Sequence, residues 1–161
     1  MATPQDFYDH LKPFLGLPYI WGADGPSAFD CSGFAQMALA SLGLDPSGDQ
    51  SADGLYRHFS DRRNGTPVLS RADVHCGTIV FYGTQRRVGH IAICLNPTLM
   101  IEAGGGGSET ISVAIARATG AKVRVRRIDR RHDIVGFRRP TGLPWANNAV
   151  DPELPPGIET Q

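Results

Sequence analysis

The chain has 161 residues, 41% of them hydrophobic and 20% charged, which fits one ordinary globular domain with a sizeable core. Its formal net charge is zero, which argues against binding nucleic acid by bulk charge, and no stretch approaches the roughly 20 apolar residues of a membrane span. Three cysteines, Cys31, Cys76 and Cys94, make an odd count without framework spacing, which excludes a disulfide scaffold and leaves free thiols.

Thr3 is placed to cap a first helix with Pro4 at its first position, and Phe7, Leu11 and Phe14 continue it toward Gly16. An aromatic, glycine-rich loop follows, Leu17-Pro18-Tyr19-Ile20-Trp21-Gly22. Phe34, Met37, Ala38 and Leu42 then recur at helical spacing up to Gly43, with Asp30 in the N-cap position and Cys31 in the first turn. A third helix is predicted from Ser51 to Asp61. From Val68 the pattern turns to strands: Thr78–Tyr82, His90–Leu95 and Leu99–Ala103, then Thr110–Val113, the alternating Val123 and Val125, and Ile134–Phe137. Helices first and strands later predict an α+β fold, N-terminal helices on a central antiparallel sheet of about five to six strands. Residues 1–140 form a single domain in this reading, and 141–161 form a Pro-rich tail without a core of its own. Trp145 in that tail either packs back on the domain or marks a contact.

Cys31 carries the chemistry. A helix N-terminus offers unpaired N–H groups and the positive end of the dipole, which stabilise a thiolate. A thiolate nucleophile needs a base, and the base needs a group to orient it. Among five histidines, His90 stands at the start of a strand, where a side chain can be aimed into a cleft. A hairpin turning at Asn96-Pro97 with its midpoint at residue 96 places Glu102 opposite His90, with Cβ atoms about 5 Å apart. Alternation puts His90, Ala92, Cys94, Thr98, Met100 and Glu102 on one face, and Ile91, Ile93, Leu95, Leu99 and Ile101 on the other, greasy one. Glu102 is then set to hold one ring nitrogen while the other faces Cys31.

Tyr19-x-Trp21-Gly22, Phe29-Asp30-Cys31-Ser32-Gly33-Phe34, Gly77-Thr78-Ile79-Val80-Phe81 and Gly89-His90-Ile91-Ala92-Ile93 together resemble the NlpC-type cysteine peptidases of bacterial cell walls. The resemblance spans roughly Leu11 to Pro140 and implies a reduced papain-like fold that cleaves amide bonds of peptidoglycan stem peptides, often between D-glutamate and the following diamino acid. Carried over by position, it makes Cys31 the nucleophile, His90 the base and Glu102 the third polar residue. Tyr19, Ser32, Trp21 and Gly104 are the accompanying oxyanion and substrate-binding candidates, with the Tyr19 hydroxyl assisting the Cys31 N–H. The family's third residue is commonly His, here Glu102, and its usual acidic residue before the buried strand is here Thr78. Glu102 followed by a glycine run also resembles short phage lysis enzymes of this family.

No cofactor or metal is expected: His75, Cys76, His90 and Cys94 match no usual zinc spacing. Gly104–Gly107 reads as a loop bordering the site, and Arg124–Arg131 as a solvated basic face that could attract anionic wall polymer. The expected partner is the peptidoglycan stem peptide, and the protein is expected to be a monomer. Residues Met1–Asp6 show no basic region followed by an apolar core, so the expectation is synthesis in the cytoplasm and action on the wall after release. The alternatives are an amidase or transpeptidase using the same thiol, or an inactive wall-binding or phage-tail module.

Overall fold

The computed structural model describes residues 1–160. One sheet of six strands, antiparallel throughout, organises it in the order β1-β6-β2-β3-β4-β5. The strands are β1 Gly65–Pro67, β2 Ile79–Gly83, β3 Val88–Cys94, β4 Leu99–Gly104, β5 Lys122–Arg127 and β6 Ile134–Pro140. The helices are α1 Pro4–Leu11, α2 Cys31–Ala40, α3 Ala52–Ser60 and α4 Val113–Thr119. This is the expected α+β arrangement. Among the described residues no helix is long and apolar enough to cross a membrane.

Each early helix starts where a polar side chain satisfies its first free N–H groups. Thr3 and Asp6 form a reciprocal capping box on α1, and Ser51 accepts from the Gly54 N–H to start α3. Helix α1 ends at Leu11, with a short 3-10 turn over Lys12–Phe14 carrying the chain to Gly16.

Strand alternation divides the apolar residues between two cores. Ile79, Phe81, Ile91, Ile93 and Ile101 face the helices and meet Phe7, Leu11, Phe34, Leu39, Leu55 and Phe59. On the opposite face Val80, Tyr82, Ala92, Cys94 and Met100 pack with Val74 and Ile128 in a smaller cluster. The basic segment covers that second cluster. Arg131 lies over the Tyr82 ring at 5.0 Å and Arg71 over Phe137 at 5.4 Å. His90 and Glu102 are therefore buried although they lie on the face away from the isoleucines.

Two expectations change. Ile93 pairs with Ile101 and Cys94 with Met100, which centres the β3–β4 hairpin on Pro97 and not on residue 96. Continued, that register sets Glu102 level with Ala92, so His90 is its diagonal neighbour and not its direct partner. A shift of two positions leaves every side chain on its own face. Thr110–Val113 is not a strand. The edge of β4 is taken by β5, from Leu99↔Arg127 to Gly104↔Lys122, and the start of β5's outer edge by residues 16–19, so a strand at 110–113 cannot join the sheet at either place. Ser112 instead accepts from the Ile115 N–H and starts α4, which ends at Gly120 in the left-handed conformation.

Residues 141–160 lie against the domain. Trp145 is buried beside the Phe7 ring, with centroids 5.7 Å apart, and its indole N–H donates to the Cys76 carbonyl at 3.0 Å. Asp151 accepts from the Cys76 N–H at 2.9 Å and pairs with His75 at 2.8 Å, while Ile158 is buried in the helix-side core beside β5. Trp145 thus packs back on the domain.

Candidate active site

Asp30 builds the start of α2. One carboxylate oxygen accepts from the Gly33 N–H at 2.7 Å and the Ser32 hydroxyl at 3.3 Å; the other accepts from the Gly22 N–H at 3.1 Å. One side chain thereby caps the helix and ties it to the aromatic loop, and Cys31 becomes the first helical residue, half-buried. Gly33 is required here, because a Cβ at this position would collide with the Ala23 carbonyl oxygen.

Helix α2 packs on β3 and β4, which brings Cys31 to His90. Strand β3 is anchored at its start by α3, whose Asp53 accepts from the Val88 N–H at 3.0 Å. The His90 Nε2–H donates to Glu102 Oε1 at 2.8 Å, which leaves Nδ1 free, and Cys31 lies close enough to the ring to favour its charged form. Glu102 is in turn held by Arg124, whose Nε–H donates to Oε2 at 2.9 Å from the directly opposed position on β5. The row Cys31–His90–Glu102–Arg124 is continuous, with His90 and Glu102 7% and 3% exposed.

Electrostatics fix the protonation states in this row. Burial alone pushes the His90 imidazole down, but hydrogen bonds to Cys31 and Glu102 and the negative charge of both outweigh it and raise its pKa to about 9. Burial alone pushes Glu102 up, but the His90 hydrogen bond and charge, with Arg124 behind them, hold its carboxyl down at about 2. At neutral pH His90 is an imidazolium between an anionic carboxylate and the thiol.

Cys31 and His90 open onto different cavities. Cys31 lines one of about 390 Å³ with Tyr19, Trp21, Asp30 and Ser32, walled beyond them by Gln50 and Arg87. His90 and Glu102 line another of about 300 Å³ with Gly105, Gly106 and several arginines. Tyr19 is buried, and burial, followed by the nearby charges of Cys31 and Asp30, pushes its phenol up, so it stays a neutral hydroxyl. Trp21 is 56% exposed at the cleft rim, and Ser32 is buried at its base. Gly104 is not in the loop; it ends β4, paired with Lys122. Gly105 and Gly106 form the wall instead, and Gly106 lies so close on the Tyr19 ring that no Cβ fits.

Sequence reasoning missed two contributors. Arg124 belongs to the site and not to a solvated face, its side chain only 15% exposed. Its one visible signal is strand alternation within the basic run, and the β4–β5 pairing crosses a loop and a helix, so no turn sets its register. Gln36, buried in α2, donates to the Gly48 carbonyl at 2.9 Å and accepts from the Gln50 N–H at 2.8 Å, which fixes the loop that walls the Cys31 cavity. The four residues weighed as zinc ligands are separated: Cys76 and Cys94 lie in different cores, His75 pairs with Asp151 and His90 with Glu102.

A helix-borne thiol facing a sheet-borne imidazole and carboxylate defines the papain-like class of site. Residues 16–130 match the pattern of the NlpC/P60 family, and the chain belongs to that family. It is 34% identical over 106 residues to the probable endopeptidase p60 of Listeria grayi, covering 66% of this chain and 19% of that protein. It is 26% identical over 111 residues to the bifunctional muramidase/DL-endopeptidase CwlT of Bacillus subtilis, covering 64% of this chain and 31% of that protein. The chain therefore spans less than a third of the length of either relative. Its fold is that of RipD from Mycobacterium tuberculosis, described as a non-catalytic NlpC/p60 domain protein adapted to peptidoglycan binding, with a TM-score of 0.60 at 22% identity, covering 86% of this chain and 98% of that one.

Proposed function

We propose that this protein is a peptidoglycan hydrolase, a cysteine endopeptidase that cuts stem-peptide amide bonds. The observation that carries the proposal is the continuous Cys31–His90–Glu102–Arg124 row, with a buried imidazolium against the thiol. Cys31 attacks the scissile carbonyl as the thiolate. The oxyanion that forms is held by the Cys31 N–H with the neutral Tyr19 hydroxyl beside it. His90 gives its proton to the departing amine, then takes one from the water that cleaves the thioester. Glu102 holds the ring and stabilises its charge, and Arg124 keeps Glu102 ionised and in place.

The bond we assign is that between D-glutamate and the following diamino acid; family membership and the DL-endopeptidase activity named for CwlT support it. The setting we assign is the bacterial wall, reached after release from the cytoplasm, as a short phage lysis enzyme reaches it. The RipD comparison gives the alternative of a binding module. The presence here of a thiol beside an imidazole that a carboxylate holds favours turnover over binding alone.

Mass spectrometry of purified sacculi treated with wild type or Cys31→Ala tests the proposal. New muropeptide ends with wild type alone are the expected result, and their masses name the bond. Cross-linked products in place of cleaved ones mark a transpeptidase, and loss of the whole stem from the sugar marks an amidase. No new fragments from Gram-negative or Gram-positive walls overturns the enzymatic reading.

A further inference from the structure

The cavity beside His90 and Glu102 is lined by Arg124, Arg126, Arg130 and Arg131. Two of these charges are already answered. Arg124 is paired with Glu102, and Arg131 with Asp133 at 2.8 Å. Among the described residues Arg126 and Arg130 have no hydrogen-bond or ion-pair partner, although Asp129 adjoins Arg130 in the chain; Asp129 is taken by Arg71. Burial first, then the charge of Arg124, disfavours the protonated form of Arg126, so the site is short of negative charge. The remaining wall is Met100 and the bare backbone of Gly105 and Gly106, which lets a small group approach closely. At about 300 Å³ the cavity is at the small end of ligand sites.

The position of this cavity says which part of a substrate reaches it. Cys31 lines the other cavity, so the acyl half of the scissile bond lies there, over Tyr19 and Ser32. The leaving amine must sit against His90, the group that protonates it. The arginine cavity is lined by His90 and not by Cys31, so of the two it is the one that adjoins the departing half.

We propose that the arginine-lined cavity binds a carboxylate carried by the residue that supplies the leaving amine, held chiefly by Arg126 and Arg130. This rests on the endopeptidase reading and extends it to a choice of substrate: a departing diamino acid with a free carboxylate, such as diaminopimelate, is taken in preference to its amide or to one lacking the group. Guanidinium forks match a carboxylate in geometry as well as charge. The neutral amide leaves both arginines unanswered.

The test reads binding separately from turnover. Cys31→Ala protein is titrated calorimetrically with two dipeptides of the departing side, diaminopimelyl-D-alanine with its side-chain carboxylate free or amidated. The same pair is titrated into Cys31→Ala/Arg126→Ala/Arg130→Ala protein. The expected result is at least about tenfold tighter binding of the carboxylate form, the preference falling to about one when both arginines are removed and shrinking as salt is raised. Equal binding of the two dipeptides, binding of neither, or a preference that survives loss of both arginines overturns the proposal. Cleavage of sacculi by wild type is scored independently. A wild type that cuts walls while Cys31→Ala shows no carboxylate preference refutes the cavity assignment alone, and a preference without cutting refutes the enzymatic reading alone. Arg130→Ala by itself, at an exposed site, serves as the control whose folding is not in question.

Discussion

His90 and Glu102 hydrogen-bond at 2.8 Å across β3 and β4 although they are diagonal and not opposed in the ladder. The diagonal suits the task. Glu102 has Arg124 as its direct partner on β5, so one carboxylate oxygen serves the arginine and the other reaches along the sheet to the imidazole. A carboxylate between two cations has its proton held off from both sides, and it stays anionic despite burial.

Glu102→Gln keeps the shape and removes the charge. Activity on sacculi is expected to fall about 100-fold, mainly in kcat, because the transition-state proton donor is less well held. The alkaline limb of the pH–kcat/KM profile, set in wild type by His90 at about 9, is expected to move toward lower pH, since the carboxylate is one of the two partners that raise it. Arg124→Met is expected to act through Glu102, lowering kcat more than it changes KM, with partial rescue in Arg124→Lys. An unmoved alkaline limb in Glu102→Gln would show that the carboxylate does not set the charge of the histidine.

The same pair makes stability depend on pH in a direction that can be worked out. The folded-state pKa of His90 is raised from 6.5 to about 9, so its contribution is full below about 6.5 and is lost as pH rises through 9. Glu102 is depressed from 4.5 to about 2, so its contribution is full above about 4.5 and is lost as pH falls through 2. The pair therefore stabilises most between about pH 4.5 and 6.5. Urea midpoints of wild type and His90→Gln/Glu102→Gln, measured from pH 4 to 9.5, are expected to differ most in that window, the difference shrinking toward pH 9 as the His90 part is lost. A difference flat across the range would show that the pair does not carry the linkage.

The C-terminal segment is expected to matter for stability and not for chemistry. Trp145→Ala removes a buried ring from Phe7 and a hydrogen bond from the Cys76 carbonyl, and is expected to cost about 3 kcal/mol, a fall of roughly 6–12 °C in Tm. Truncation after Pro140 also removes Asp151 and Ile158 and is expected to cost more. The specific activity of Trp145→Ala, measured well below its Tm, is expected to match wild type. Full thermal stability in the truncated chain would make residues 141–160 dispensable to the fold.

What was legible in the sequence is what neighbours in the chain decide. Asp30 as cap and Cys31 in the first turn follow from capping chemistry within four residues, and the two-sided character of the β3–β4 hairpin follows from period-two alternation, which is indifferent to a shift of two. That indifference is why the Glu102–His90 bond could be anticipated from a register that was itself displaced. The tertiary structure decided everything that depends on non-adjacent elements meeting. Thr110–Val113 has an extended sequence, but β4 already has β3 and β5 on its two edges, and the segment forms a loop and the start of α4. Trp145 had no local pattern to place it, and only the gap beside Phe7 does so. Arg124 looks like one of several solvated arginines until β5 is laid against β4; then the cost of burying Glu102 without a second partner gives it a place in the site. Local hydrogen bonds and side-chain period are short-range and are written in the chain. The pairing of strands across a long connection is settled only when the whole core is buried at once.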